Sequence, residues 1–329
     1  MSKKIKIAIV GATGMVGRTF IKVLEEEKIQ AGYSLFASER SAGGKLKLMD
    51  RDITILELNE KNVAAVKPDF ALFSAGGEIS KQFAPVFVKL GCVVIDNSSA
   101  FRQDPNIPLV VPEVNPQDIK QLGKSKVGII ANPNCSTIPA AVVLKPLDDL
   151  YGLRRVIYST YQAVSGAGQA GLNDYLNKTT KKFPYQIFNN LIPHIDSFLP
   201  NGNTKEEEKM INETRKILHK PNLAVSATTV RVPIENCHSV SINAEFERLP
   251  DINQIRKVLG NSSGIVLYDE PSKNIYPMPV IANDKNEVFV GRIRIDQSLE
   301  NTINMFVVSD NIRKGAATNA VQILKLMLG

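Results

Sequence analysis

The chain has 329 residues, of which 43% are hydrophobic and 22% are charged, and its net charge is +7. This length suits two domains, and the composition is ordinary for a globular protein. No apolar run approaches the roughly 18 residues of a membrane helix, and the first residues lack the cleavage site of a secretory signal. Three cysteines without a CxxC pair argue against a disulfide scaffold or a zinc cluster, so a cytoplasmic protein is expected. The scattered basic residues suit anionic small molecules better than nucleic acid.

The first predicted element is a buried parallel strand at residues 5–10, and a glycine-rich turn and an amphipathic helix follow it. The turn reads Gly11-Ala12-Thr13-Gly14-Met15-Val16-Gly17. In such a unit, glycines let backbone amides approach a pyrophosphate at the start of the helix. The GxxGxxG spacing is weak evidence alone, but its place between a strand and a helix predicts a dinucleotide site.

The second predicted strand, residues 33–37, ends where the adenosine ribose of a dinucleotide would lie. The sequence there is Ser38-Glu39-Arg40-Ser41. An acidic side chain suits the bare 2′-hydroxyl of NAD, whereas an arginine suits the 2′-phosphate of NADP. Because Arg40 is flanked by two serine donors, the pattern favours NADP.

Strands are also predicted at residues 70–74 and 92–96, with a helix at residues 80–90 between them. Repetition of strand and helix predicts a Rossmann-like, doubly wound parallel sheet. Cys92 lies inside an apolar strand and is interpreted as core. Arg102 follows the carboxyl end of that strand, where open parallel sheets bind ligands, so it is a candidate anion ligand.

The most informative stretch reads Asn132-Pro133-Asn134-Cys135-Ser136-Thr137. It joins a predicted strand at residues 127–131 to a predicted helix at residues 136–150. Cys135 should therefore face the unpaired amides of a helix start, which favour a thiolate. A nucleophilic cysteine is the functional interpretation, and a small buried loop cysteine is the alternative.

The remainder of the chain has a different texture. A strand at residues 156–163 leads into a glycine-rich run at residues 164–171 and then a polar region at residues 173–202. A helix is predicted over residues 205–219 with Thr204 as its N-cap. The remaining strands are predicted at residues 225–232, 239–247, 288–295 and 304–309, and a last helix is predicted at residues 312–328. These strands indicate an α+β domain with a mixed or antiparallel sheet.

Only three histidines are available as partners for the thiol. His194 and His219 are interpreted as structural, whereas His238 follows a strand that carries Arg231. Cys237 is a rival thiol, but it precedes a strand rather than a helix. No histidine or cysteine pair has the spacing of metal ligands, so no metal site is predicted.

Several further motifs complete the pattern. They are Phe73-Ser74-Ala75-Gly76-Gly77, Asp96-Asn97-Ser98-Ser99-Ala100-Phe101-Arg102, Tyr161-Gln162-Ala163-Val164-Ser165-Gly166-Ala167-Gly168, Arg231-Val232-Pro233, Phe289-Val290-Gly291-Arg292-Ile293-Arg294 and Val307-Val308-Ser309-Asp310-Asn311. Together with the glycine motif that starts at Gly11 and the cysteine motif at residues 132–137, they follow one another along the whole chain. The sequence resembles the aspartate-β-semialdehyde dehydrogenases of the bacterial type. The resemblance implies reversible, NADP-dependent reduction of L-aspartyl 4-phosphate to the semialdehyde, on the way to lysine, threonine and methionine.

The resemblance also implies roles for individual residues. The nucleophile falls on Cys135, the acid/base on His238, and the residue that orients the thioacyl intermediate on Gln162. The implied substrate ligands are Arg102, Asn134, Glu206, Lys209 and Arg231. Among them, Arg231 would bind the carboxylate, Glu206 the amine, and Arg102 with Lys209 the phosphate.

The cofactor residues that the resemblance implies are Gly11, Thr13, Gly14, Met15, Val16, Ser38, Arg40, Ser41, Ser165, Gly166 and Asn311. It further implies a homodimer, with residues 1–132 and 313–329 forming the NADP-binding domain and residues 133–312 the catalytic and dimerisation domain.

Two other functions stay open at this stage. One is an N-acetylglutamyl-phosphate reductase of the same fold, whose blocked amine needs no acidic partner. The other is a non-catalytic, NADP-sensing regulator. Glu206 beside Lys209 favours the aspartyl substrate over the first, and the presence of Cys135 with His238 argues against the second.

Overall fold

The computed structural model describes residues 5–124 and 126–329, and the chain divides into two compact units. The first unit contains the residues up to Pro133 together with Ala316–Gly329, and the second contains Asn134–Gly315. Within the described ranges, no helix is both long enough and apolar enough to cross a membrane.

Both units contain strands and helices. The strands are β1 Lys6–Val10, β2 Gly32–Ala37, β3 Lys45–Leu48, β4 Arg51–Glu57, β5 Phe70–Phe73, β6 Val93–Asp96, β7 Gly128–Ala131, β8 Leu153–Gln162, β9 Ala224–Arg231, β10 His238–Phe246, β11 Ile265–Leu267, β12 Val288–Ile295 and β13 Thr302–Ser309. The helices are α1 Met15–Glu26, α2 Glu60–Val66, α3 Gly77–Lys89, α4 Thr137–Tyr151, α5 Gly168–Asn177, α6 Lys205–Ile217, α7 Ile252–Asn261, α8 Pro279–Ala282 and α9 Thr318–Leu328.

The first unit is built on a seven-stranded sheet in the order β3-β4-β2-β1-β5-β6-β7. All neighbouring pairs are parallel except β3 with β4. Alternate residues of β1 enter two separate cores, since Ile7 and Ile9 pack on one side while Ala8 and Val10 pack on the other. Burial on both faces is typical of a doubly wound parallel sheet, so this prediction is confirmed.

The glycine turn after β1 is held so closely that side chains cannot enter it. Gly11 has a φ of +81°, and a Cβ atom there would lie 2.3 Å from the carbonyl oxygen of Ser74. A Cβ atom on Gly17 would lie 2.2 Å from the oxygen of Gly11. Glycine is therefore required at both positions, and α1 begins at Met15 directly after the turn.

The second unit is built on a six-stranded sheet in the order β11-β12-β13-β10-β8-β9. Its outer pairs, β11 with β12 and β8 with β9, are parallel, whereas the three inner pairs are antiparallel. The predicted mixed sheet is therefore confirmed. Helices α4 and α6 pack beside this sheet within the unit.

Helix α6 begins at a strong local signal. Thr204 accepts a hydrogen bond from the Glu207 amide, and the Glu207 carboxylate accepts one from the Thr204 amide, which completes a capping box. The other oxygen of Glu207 accepts a hydrogen bond of 3.0 Å from the amide of Thr229 in β9. The start of α6 is thus fastened to the strand that ends in Arg231.

The described part of the chain contains seven strands and α-helices that the sequence did not predict: β3, β4, β11, α2, α5, α7 and α8. The polar region contains the end of helix α5, which covers Gly168–Asn177, because Asp174 accepts hydrogen bonds from Thr179 and from three following backbone amides. The predicted last helix differs at its start, because Arg313–Ala317 forms a π-helical turn that runs directly into α9. Asp310 holds this turn by accepting hydrogen bonds from two of the amides that follow it.

Candidate active site

Three predicted site residues lie side by side at the ends of three neighbouring strands of the second sheet. The strand register pairs Gln162 at the end of β8 with Arg231 at the end of β9, and pairs the same glutamine with His238 at the start of β10. Each is at least 95% buried. Because strand ends fix backbone positions, the sheet presents an amide, a guanidinium and an imidazole in one row.

Cys135 lies in the turn before α4 and is half-buried. The expectation that it faces unpaired helix amides is wrong. The side-chain oxygen of Asn134 accepts hydrogen bonds from the amides of Ser136 at 2.8 Å and Thr137 at 3.2 Å. An asparagine that caps the helix in this way satisfies those donors, so the loop is ordered while the helix dipole still favours negative charge beside the thiol.

Glu206 links the loop that carries Asn134 and Cys135 to Gln162 in the row of sheet residues. Its Oε1 atom accepts hydrogen bonds from the side-chain amides of Asn134 at 2.8 Å and Gln162 at 3.1 Å, and its Oε2 atom lies 3.1 Å from Lys209 Nζ. The carboxylate is only 5% exposed. Burial would raise its pKa, but the charge of Lys209 and the two amide hydrogen bonds outweigh that effect, so the pKa of Glu206 is lowered. A buried carboxylate is thereby kept ionised.

Lys209 completes an ion cluster on the same side. Its ammonium lies 2.7 Å from the Oδ2 atom of Asp196 in addition to its contact with Glu206. Burial opposes the charge on the ammonium, but the two carboxylates raise the pKa of Lys209 above its ordinary value. The three groups are therefore all charged near neutral pH.

Arg231 is held from two sides. Its Nη1 atom donates a 2.6 Å hydrogen bond to the Ala163 carbonyl, and its guanidinium lies over the Phe183 ring at 5.9 Å. Its buried Nε atom has no hydrogen-bond partner among the described residues. Burial lowers the pKa of Arg231, while the charges of Glu206 and Cys135 act in the opposite direction. The guanidinium thus retains a buried donor for an anionic ligand near the thiol.

The two ring nitrogens of His238 differ in their hydrogen bonding. Its Nδ1 atom accepts a 3.1 Å hydrogen bond from the Ala163 amide, so the neutral ring carries its proton on Nε2. That Nε2 atom has no partner within the described part of the chain. Burial and the neighbouring Arg231 charge lower the pKa of His238 to about 3. The ring is therefore a neutral hydrogen-bond donor at physiological pH.

The three predicted cofactor residues of the second unit lie close to this histidine. Ser165 and Asn311 are hydrogen bonded to each other at 3.1 Å, and the Asn311 oxygen also accepts from the Cys237 amide at 2.8 Å. A Cβ atom on Gly166 would lie 2.8 Å from Nη1 of Arg231 and 3.0 Å from Nε2 of His238. Glycine is therefore needed to leave room for both catalytic candidates.

The remaining cofactor candidates belong to the first unit. Gly11, Thr13 and Gly14 form the glycine turn, and Met15 with Val16 begins α1, whose first amides have no acceptor within the helix. Ser38, Arg40 and Ser41 follow β2 in an exposed 3₁₀ turn at Glu39–Ser41. A glycine turn at a helix start and a basic turn after the second strand both suit a phosphate-bearing dinucleotide.

Arg102 also belongs to the first unit and is 93% buried. Its Nη2 atom donates a 2.9 Å hydrogen bond to the Asn97 carbonyl in the loop after β6. In the same unit, Asn132 donates to the Asn97 side chain at 2.7 Å. The arginine is therefore held by an ordered loop, unlike a solvated surface side chain.

Two carboxylates of the site escaped the sequence reasoning. Glu213 is fully buried and accepts a 2.6 Å hydrogen bond from the Asn134 amide, so it holds the thiol loop directly. Glu213 follows Glu206 by seven residues, so both lie on one face of α6, and this spacing is the sequence pattern that could have indicated Glu213 as a site residue. Asp196, the partner of Lys209, lies in a loop and offers no comparable pattern.

The other candidate groups have structural surroundings. His194 stacks on Phe198 with ring centroids 4.3 Å apart, and His219 follows the end of α6. Cys92 and Cys237 are fully buried, and burial raises the pKa of both thiols. In the described residues, no group of three or more His, Cys, Asp or Glu side chains could hold a metal ion.

Two family models match the chain. The semialdehyde dehydrogenase NAD binding domain matches residues 6–122, and the semialdehyde dehydrogenase dimerisation domain matches residues 144–314. Fold and site thus define a semialdehyde dehydrogenase, an oxidoreductase that uses a nicotinamide dinucleotide.

Individual relatives narrow this class. The aspartate-semialdehyde dehydrogenase of Aquifex aeolicus is 53% identical, and the alignment covers 98% of each chain. The crystal structure of aspartate semialdehyde dehydrogenase II from Vibrio cholerae complexed with ASA is 42% identical, with a TM-score of 0.94 over 99% of both chains. The aspartate semialdehyde dehydrogenase with NADP from Candida albicans is 26% identical, with a TM-score of 0.79 over 99% of both chains. The chain belongs to the aspartate-semialdehyde dehydrogenase family.

Proposed function

We propose that this protein catalyses the reversible, NADP-dependent reductive dephosphorylation of L-aspartyl 4-phosphate to L-aspartate 4-semialdehyde. The product serves lysine, threonine and methionine biosynthesis. Cys135 is the nucleophile and carries the acyl group as a thioester.

The observation that carries the proposal is the ionised, buried carboxylate of Glu206. This carboxylate accepts a hydrogen bond from Asn134, the residue before the nucleophile, and its charge interacts electrostatically with Arg231. A substrate with a free ammonium and a carboxylate matches this pair of opposite charges. An N-acetylated substrate has no ammonium, so it would not form an ion pair with this carboxylate.

The chemistry uses the sulfur of Cys135 as a thiolate. The sulfur forms a bond to the acyl carbon, and the bond from that carbon to the phosphate oxygen breaks, so phosphate leaves with the electron pair. A nicotinamide cofactor held at the glycine turn of the first unit would supply the hydride that reduces the thioester. The carbon–sulfur bond then breaks and returns the sulfur as a thiolate, so the sulfur needs no proton in this direction.

The neighbouring residues stabilise the charge that develops on the substrate oxygen. His238 offers the Nε2 proton as a hydrogen-bond donor, and Gln162 Nε2 is fixed by its contact with Glu206. Arg231 binds the substrate carboxylate and fixes the acyl chain beside the sulfur. Arg102 and Lys209 supply positive charge for the phosphate group.

The choice of NADP rests on Arg40, which is exposed in the turn after β2. A guanidinium between two serines offers several donors to a 2′-phosphate. We expect Arg40→Ala to raise the KM for NADPH at least about tenfold and to change that for NADH less than about twofold. Arg51→Ala, which removes another exposed arginine of the first unit, should change neither constant. Equal effects on both cofactors in Arg40→Ala would refute the preference.

The assembly is proposed to be a homodimer, in keeping with the dimerisation domain of the family. Strand β8 exposes Ile157 and Tyr161, and the Tyr161 ring lies 6.1 Å from that of Phe306. Light scattering should give twice the monomer mass, and a monomer mass would refute the assignment. A cytoplasmic location remains a prediction, which cell fractionation would test.

The decisive experiment measures phosphate-dependent reduction of NADP with L-aspartate 4-semialdehyde and with the N-acetylated five-carbon semialdehyde. We expect turnover of the first substrate only, and its loss in Cys135→Ala, while NADP still binds. Preference for the acetylated substrate would move the assignment to N-acetylglutamyl-phosphate reductase. NADP binding without turnover of either substrate would indicate a regulator.

A further inference from the structure

The ammonium of Lys209 is held between two carboxylates that play different parts. Glu206 is buried on the same helix, whereas Asp196 comes from the loop before that helix and its side chain is 35% exposed. A lysine ammonium has three N–H donors, and these two contacts use two of them. The third donor is then directed by the other two.

Asp196 is itself fixed by the backbone around it. Its φ is +68°, in the left-handed region that non-glycine residues adopt at a cost. Its Oδ1 atom accepts a 2.8 Å hydrogen bond from the Ser197 amide, and the Ser197 carbonyl accepts one of 2.8 Å from the Lys205 amide at the start of α6. One carboxylate oxygen therefore binds the adjacent Ser197, whose carbonyl joins the loop to the helix, and the other binds the lysine.

The charges of Lys209, Glu206 and Asp196 limit what Asp196 can contribute to phosphate binding. Lys209 with two carboxylates has a net charge of −1, so the aspartate opposes an incoming phosphate electrostatically. Its favourable contribution must come from geometry, because an ammonium that is held by Glu206 alone can rotate about that one contact, whereas a second anchor fixes the direction of the remaining donor.

We propose that Asp196 is a positioning residue that holds the Lys209 ammonium so that its third donor faces the phosphate of the substrate. The inference rests on the proposed function, in which Lys209 binds phosphate. Asp196 does not touch the substrate. It shares the Lys209 ammonium with Glu206 and fixes its orientation, so that the remaining donor serves the phosphate.

The test uses Asp196→Asn in the phosphorylating direction. The asparagine oxygen can still accept from the Ser197 amide, but its NH₂ group then faces Lys209 and cannot accept from it. We expect the KM for phosphate to rise about tenfold, as for loss of one charged hydrogen bond. The KM for NADP and the kcat at saturating phosphate should stay within about twofold of wild type. Glu270→Gln, which breaks the 2.6 Å ion pair with Lys273 in the same unit, should leave all constants unchanged.

A double-mutant cycle shows whether the effect passes through Lys209. In a Lys209→Met background, Asp196→Asn should add no further rise in the KM for phosphate. An unchanged or lower KM for phosphate in the single Asp196 variant would overturn the proposal. So would an effect that persists in full without the lysine, or an equal loss for all substrates. Phosphate-dependent turnover by the wild-type enzyme tests the proposed function separately.

Discussion

Burial of His238 predicts that acid weakens the second unit at pH values where most enzymes of this size are stable. The ring is fully buried beside Arg231, and its pKa falls from 6.5 to about 3. Between these values the unfolded chain binds a proton that the folded chain does not. Stability is therefore complete above about pH 6.5 and is lost as the pH falls towards 3.

The size of the stability loss depends on how far the pH of the measurement lies below the ordinary pKa of histidine. At pH 5 the unfolded imidazole is about 1.5 pH units below its pKa, whereas the folded ring is still neutral. One pH unit corresponds to about 1.4 kcal/mol, so the free energy of unfolding should fall by about 2 kcal/mol between pH 7 and pH 5 from this group alone.

The matched variant is His238→Asn, because the asparagine oxygen can accept from the Ala163 amide but does not titrate. Urea unfolding at pH 7 and pH 5 should show a wild-type loss about 2 kcal/mol larger than the loss in the variant. Contributions from Glu206 and Asp196 occur in both proteins and cancel. His194→Asn, which replaces a ring that stacks on Phe198, should retain the wild-type pH dependence.

NMR gives an independent measurement of the same property. The C2 proton resonance that disappears in His238→Asn should not titrate between pH 5 and pH 8 in the folded wild-type protein. A midpoint near 6.5 for that resonance, or equal pH slopes for wild type and variant, would show that the ring takes up a proton in the folded state. The neutral-donor role assigned to it would then be wrong.

Three substitutions test other parts of the site. Arg231→Lys keeps the charge but loses the planar fork, so kcat/KM should fall at least about tenfold, and wild-type kinetics would remove this residue from the substrate site. Gly166→Ala places a methyl group 2.8 Å from the Arg231 guanidinium and should impair turnover, whereas Gly260→Ala, where the nearest atom is 3.7 Å away, should be tolerated. Glu213→Leu leaves the Asn134 amide without its acceptor and should cost about 1–3 kcal/mol in stability by thermal unfolding, with Glu213→Gln closer to wild type.

Local signals carried much of the prediction. The glycine turn of the first unit was readable because a φ of +81° and a 2.3 Å approach leave room for glycine alone at Gly11. The start of α6 was readable because Thr204 and Glu207 form their hydrogen bonds within one turn. Alternating apolar and glycine-rich stretches likewise predicted ten of the thirteen described strands, whereas β3, β4 and β11 were not predicted.

The remaining features depend on contacts between residues that are far apart in the sequence. Glu213 and Asn134 are separated by 79 positions, and no spacing rule connects them. Helix α5 has a glycine-rich sequence with low helix propensity, and the hydrogen bonds to Asp174 and packing on Phe183 hold it. The pairing of the amides at the start of α4 escaped notice because Asn134 was interpreted as a substrate ligand rather than as a cap.

The bond between Glu207 and β9 has a consequence for selectivity. It ties the start of α6 to a strand two residues before Arg231, so the Glu206 carboxylate and the guanidinium share one frame. In the proposed function, these two groups hold the amine and the carboxylate of the same substrate carbon, and Asn134 joins Glu206 to the loop that carries Cys135. The distance from this pair to the sulfur then measures carbon number, and a homologue one methylene longer places its carbonyl carbon differently relative to the sulfur.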